Sequence, residues 1–203
     1  MARALRIAAL LLAAALPSCG AQSEWRELDI GEGAFAVLMR GEPHYVKQDL
    51  DTPGGRMTAH LYSSDRPDAY YAVGYSDYPL SLVLGTNAKA LFSGVRDTWV
   101  RRINGKLVTS DDTLKLDGRY PGMEFTAFGT DPTRAGSGEN AGTTGHKTFV
   151  QARLYLVDQR LYQIVAMGHV DEVPQGEVNR FLRSFRLSTS APANTVIIQP
   201  KGK

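Results

Sequence analysis

The chain has one cysteine, Cys19, in 203 residues. No disulfide can form within it, and no zinc site of the multi-cysteine type can be built from it. Histidine is scarce as well: His44, His60, His146 and His169 are the only imidazoles, and no two stand at helical metal-ligand spacing. An excess of one charge is missing, with 23 Lys+Arg against 21 Asp+Glu. That balance carries no clustered basic face of the kind a nucleic-acid-binding domain needs. The apolar run over 7–16 is much shorter than the roughly 20 residues that cross a hydrocarbon core.

What is present begins at the N-terminus. Arg3 and Arg6 precede that apolar run, and Pro17-Ser18-Cys19-Gly20-Ala21 closes it with small residues. This is the layout of a secretory signal, so the chain is expected to be exported. Two processing routes stay open. Leu16-Pro17-Ser18-Cys19 resembles the lipobox of bacterial lipoproteins, with Pro17 as a departure from the pattern, and implies lipidation of Cys19 and a membrane anchor. Cys19-Gly20-Ala21 instead offers a small-x-small site with cleavage before Gln22. A lone cysteine at the signal boundary favours the first route. Both arginines leave with the signal and no acid does, so the mature chain carries 21 charges of each sign. The expected organisation is a signal over 1–21, a globular domain over 25–187 and a flexible tail over 188–203. With no internal disulfide, the domain depends on burial, and a chain of this length buries about 70% of its unfolded surface.

Most of the domain reads as strands. The run over 34–39 sits between Gly31, Gly33 and Gly41, Pro43. Further strands are expected over 44–48, 57–62 and 69–75, with a turn at Thr52-Pro53-Gly54-Gly55. These four strands predict an antiparallel meander. The two-residue period turns Tyr71, Val73 and Tyr75 inward and leaves Tyr70 and Tyr78 as the more exposed tyrosines. Strands resume over 106–116 and 123–128, separated by Asp117-Gly118, and Pro121-Gly122 predicts an irregular start or a bulge. Strands over 149–157 and 161–167 flank a tight hairpin at Asp158-Gln159-Arg160.

Two segments have the period of a helix. Ala88, Leu91, Phe92, Val95, Trp99 and Ile103 recur at three- and four-residue steps opposite charged residues, with Thr86 as the expected N-cap and Asn104-Gly105 as the stop. Gly94 inside this helix is expected to pack closely on the sheet, since it otherwise costs about 1 kcal/mol relative to Ala. A second helix is expected from Pro174, with Val178, Phe181, Leu182 and Phe185 on one face. Arg101, Arg102, Arg180, Arg183 and Arg186 read as solvated helix faces.

Several fragments occur together in order. They are Gly33-Ala34-Phe35-Ala36-Val37 with Gly41-Glu42-Pro43, then Tyr71-Ala72-Val73-Gly74-Tyr75-Ser76-Asp77, then Gly118 with Pro121-Gly122-Met123-Glu124. Arg153-Leu154-Tyr155-Leu156, Arg160-Leu161-Tyr162-Gln163 and Phe181-Leu182-Arg183-Ser184-Phe185 follow. The series resembles a group of exported bacterial proteins of unknown function that share the α/β/α sandwich of PsbP, the extrinsic photosystem II subunit, and of the yeast Ran-binding nuclear import factor. The resemblance spans 25–187 and implies an α+β fold, a mainly antiparallel sheet flanked by helices. Its residues are apolar or turn-forming, so it implies no activity.

Candidate chemistry is thin. Gly142-Thr143-Thr144-Gly145-His146-Lys147-Thr148 has His146 where a phosphate-binding loop needs glycine before lysine, and a strand follows it. Gly136-Ser137-Gly138 has no strand-to-helix elbow to expose a nucleophile. Neighbouring Asp111 and Asp112 point to opposite faces, while Asp77 and Glu124 suit structural polar roles near strand ends. The Gly- and Thr-rich stretch 129–145 reads as a mobile connection. No catalytic, metal-binding or cofactor-binding residue is assigned, and no cofactor. The expected function is non-catalytic binding of an envelope protein or other envelope component. A small-ligand or lipid carrier, or a hydrolase, remains the alternative.

Overall fold

The computed structural model describes residues 25–52, 55–130 and 147–188. Cys19, the expected signal, residues 131–146 of the expected connection and the residues beyond Ser188 lie outside them. So do Pro53, Gly54, Gly136-Ser137-Gly138 and His146. The described chain runs β1 (Trp25–Ile30), β2 (Phe35–Arg40), β3 (His44–Thr52), β4 (Gly55–Asp65), β5 (Ala69–Asp77), α1 (Leu80–Gly85) and α2 (Ala88–Arg102). It continues β6 (Lys106–Asp111), β7 (Lys115–Leu116), β8 (Tyr120–Thr130), β9 (Lys147–Val157), β10 (Arg160–His169), α3 (Gln175–Ser184) and β11 (Arg186–Leu187).

Eight strands make one sheet in the order β3-β4-β5-β10-β9-β8-β6, with short β7 also on β8; β1, β2 and β11 make a second, small sheet. All pairings are antiparallel. Both faces of the large sheet are covered over its central strands, which is why a strand such as β10 reads as a nearly continuous apolar run. On one face Tyr71, Val73, Tyr75, Tyr162 and Ile164 pack with Phe35 and Val37 of β2 and with Val178, Phe181 and Leu182 of α3. On the other, Met123, Phe125, Val150, Leu154, Leu161 and Val165 pack with Phe92 of α2 and Ile103. The result is an α+β fold in layers: α2, the large sheet, then the small sheet with α3.

Several expectations need correction. The strand over 34–39 does not join the meander, because β2 pairs with β1 and β11 and crosses above the large sheet; only β3, β4 and β5 form the meander. The two-residue β11 closes that small sheet, pairing Leu187 with Phe35, so Arg186 lies on a strand and not on a helix. Residues 106–116 form two strands, and the ladder irregularity falls between Leu107 and Thr109 while Pro121 and Gly122 pair regularly. Gly129 and Thr130 extend β8, and α1 was not expected.

At the start of α2 the cap is Asn87, whose Oδ1 accepts from Ala90 N at 2.8 Å. Thr86 is one residue too early for that bond. Gly94 faces solvent with nothing near the place a Cβ would take. Leu91, Val95 and Trp99 are half-buried against the α2-side core, with only Phe92 of that helix fully buried. Tyr70 and Tyr78 are, as expected, more exposed than the inward Tyr71 and Tyr75; they are half-buried against the α2-side core, while Tyr71 and Tyr75 are fully buried.

Candidate functional site

The helix α2 rests on β8 and β9, leaving part of the same face over β3, β4 and β5 without a helix. The row Ala72, Gly74, Ser76 explains the shape. These small side chains alternate with Tyr71, Val73 and Tyr75, so one face of β5 is bulky and the other is nearly flat. A groove of about 140 Å³ results, with Ala59, Leu61, Ala72 and Gly74 along it, bounded by Val46 and by Trp99. Trp99 is fixed there by its Nε1–H, which donates to Gln163 Oε1 at 3.2 Å. Val46, on the outermost strand, is 49% exposed, and Leu80 and Leu84 of α1 are exposed as well. The sequence signal for the groove was the small-residue row, but only the position of α2 leaves that row uncovered.

The opposite face of the same strands carries an aromatic cluster. His60 stacks on Tyr75 at 4.3 Å with planes 7° apart, and its Nδ1 shares a 2.8 Å hydrogen bond with the Tyr45 hydroxyl. Burial is the main cause holding the His60 pKa below its ordinary value, with Lys47 adding to it. Burial pushes the Tyr75 hydroxyl up to about 12 and raises the Tyr45 hydroxyl too. Both partners of the pair therefore favour their neutral forms near pH 7. The cluster suits packing better than proton transfer.

Asp77 ends β5 as expected, whereas Glu124 lies inside β8; each is held in an ion pair with an arginine. Arg160 grips Asp77 with two bonds of 2.6 and 2.7 Å, lies 4.7 Å from the Tyr75 ring centre, and donates to the Glu32 carbonyl of the β1–β2 turn. Arg153 Nε donates to Glu124 at 2.6 Å. Asp111 and Asp112 do not act together: Asp111 accepts from Thr113 while Asp112 pairs with Lys89 at 2.6 Å. His44 is exposed at the start of β3, and His169 ends β10. Among the described residues no group of three or more His, Cys, Asp or Glu is placed to hold a metal ion.

Sequence comparison gives no relatives: no family model matches the chain, and no curated protein does. Comparison of folds does. The chain is similar to the solution structure of cyanobacterial PsbP from Synechocystis sp. PCC 6803, with a TM-score of 0.52 at 13% identity over 85% of this chain and 98% of that one. A Pseudomonas aeruginosa protein of unknown function aligns over 84% of this chain and 99% of its own at 8% identity, with a TM-score of 0.39. The fold is thus PsbP-like, as the ordered fragments imply.

Proposed function

We propose that this PsbP-like chain is a non-catalytic envelope domain, exported and held at a membrane through Cys19, that binds a protein or other envelope component on the α2-side face of its large sheet. The observation supporting this is the groove beside Trp99, an apolar strip open to solvent next to the α2-side core. Its 140 Å³ compares with the roughly 300–1,000 Å³ of a pocket that encloses a small ligand, which weighs against a lipid carrier. The pairing of Asp77 and Glu124 with arginines weighs against a hydrolase.

The test is Ala59→Arg, which puts a cation into the groove from a half-buried position. Wild type and variant are compared by thermal melting and by capture from an envelope extract. Retained stability with lost partners supports the reading; identical capture removes the groove from it. A stoichiometric lipid found by native mass spectrometry would favour the carrier. For the anchor, Cys19→Ala should release the protein from membranes, and an unmodified N-terminus at Gln22 would overturn lipidation.

A further inference from the structure

The large sheet has two edges, and they differ. At one, β6 is interrupted by the irregularity between Leu107 and Thr109, a common device for blunting an edge. At the other, β3 is nine residues long and pairs continuously with β4 from His44↔Ser63 to Thr52↔Gly55. Among the described residues no strand pairs with its outer side. A regular edge of this length presents a row of backbone donors and acceptors that another extended strand can match.

We propose that the outer edge of β3 is a self-association surface, on which two copies of this chain pair antiparallel about a two-fold axis at Gln48 to form one continuous sheet. The charge pattern of β3 selects the second copy as the occupant. Directly opposed residues in an antiparallel pair share a face, so such an axis must fall on a residue. With the axis on Gln48, Lys47 of each copy lies opposite Asp49 of the other, and Val46 opposite Leu50. Both matches occur twice, as in any isologous contact. The ion pairs lie on the face that carries Tyr45, and the apolar pairs lie on the α2 side, where Val46 is half exposed.

Neighbouring registers are worse. An axis on Lys47 sets two lysines against each other, and one on Asp49 sets two aspartates. An axis on Leu50 opposes Asp49 to Asp51, while one on Val46 forms no ion pair. A lysine on an edge ordinarily prevents pairing, but in the Gln48 register each Lys47 meets a carboxylate. Strand β6 offers no such regular edge: its register shifts between Leu107 and Thr109, so a second strand could not pair along it without a break. This inference is independent of what the groove binds. It does place both grooves on the same side of the joined sheet.

Sedimentation of the purified chain over a range of concentrations tests it. Wild type should show a monomer–dimer equilibrium. Lys47→Asp, which sets aspartate against aspartate, should weaken association roughly tenfold or more, and Lys47→Asp/Asp49→Lys should restore it to near the wild-type value. A chain that stays monomeric at every concentration, a dimer indifferent to Lys47→Asp, or a double variant that does not recover would each overturn the proposal. Cross-linking is a second measurement that needs no charge change. On a Cys19→Ala background, Gln48→Cys should oxidise to a disulfide dimer, because opposed Cα atoms about 4.5–5.5 Å apart lie within disulfide range. Leu107→Cys, on the other edge, should not. Equal cross-linking of the two variants would also refute the β3 contact.

Discussion

Gly94 and Gly129 have opposite roles. Gly94 lies mid-helix with open space around its missing Cβ, so Gly94→Ala should raise stability by about 0.5–1 kcal/mol through helix propensity and the entropy of the unfolded chain. Gly129 lies where the end of α2 crosses β8, and a Cβ there would collide with the Ile103 carbonyl and the Gly105 backbone. Gly129→Ala should therefore destabilise by about 1–3 kcal/mol, since backbone cannot move aside as a side chain can. Chemical denaturation of the two variants, read as shifts of opposite sign, checks the pair. Among charged residues, Asp77 has its pKa lowered chiefly by the Arg160 hydrogen bond. A depressed folded pKa contributes stability that is complete above the unfolded value and is lost as pH falls through the folded one. Melting temperature should decline on acidification below about pH 4, and Asp77→Asn should flatten part of that decline. Asp77 is well exposed, so screening keeps its share small.

At the scale of elements, the two longer helices hold the sheet by different means. Helix α3 buries Val178, Phe181 and Leu182 completely, and Phe185, just past its last residue Ser184, is buried too, stacking on Phe35. Phe181→Ala should cost about 3–5 kcal/mol. Helix α2 is the larger element but buries only Phe92, and Trp99 stands at the groove with one side in solvent. Trp99→Ala should cost about 1–2 kcal/mol, from lost partial packing and the Gln163 bond. Urea denaturation of both variants measures the contrast. Equal losses would mean that Trp99 is a core residue and that the groove is closed in solution.

For the whole molecule, the small sheet makes the fold depend on a long-range closure. Arg186 pairs with Glu27 through two hydrogen bonds, Ser188 N donates to the Ala34 carbonyl, and the Ser188 hydroxyl donates to Asp29. These contacts tie residues near the end of the domain to its first two strands, covering Phe35 and Val37. Truncation after Phe185 should lower stability by about 2 kcal/mol or more, the loss of several net hydrogen bonds and an edge pairing. Calorimetry of the truncated chain reads this directly, and an unchanged transition would show that β11 adds nothing to the closure.

The sequence alone determined the features that depend on local periodicity and turn chemistry. The inward row Tyr71, Val73, Tyr75, the β9–β10 hairpin at Asp158-Gln159 and the apolar face of α3 follow from side-chain alternation and helical spacing, and the α+β class from the resemblance of the ordered fragments. Tertiary structure decided what depends on contacts between separate elements. It took β2 out of the meander, because β1 and β11, and not β3, pair with its two edges. It kept Tyr70 and Tyr78 from full exposure, because α2 and its neighbours shelter them. It also left the Ala72, Gly74, Ser76 row as a groove, because α2 settles over β8 and β9. A strand's alternation says which residues share a face; it carries no record of which distant element covers that face, and the groove exists only where none does.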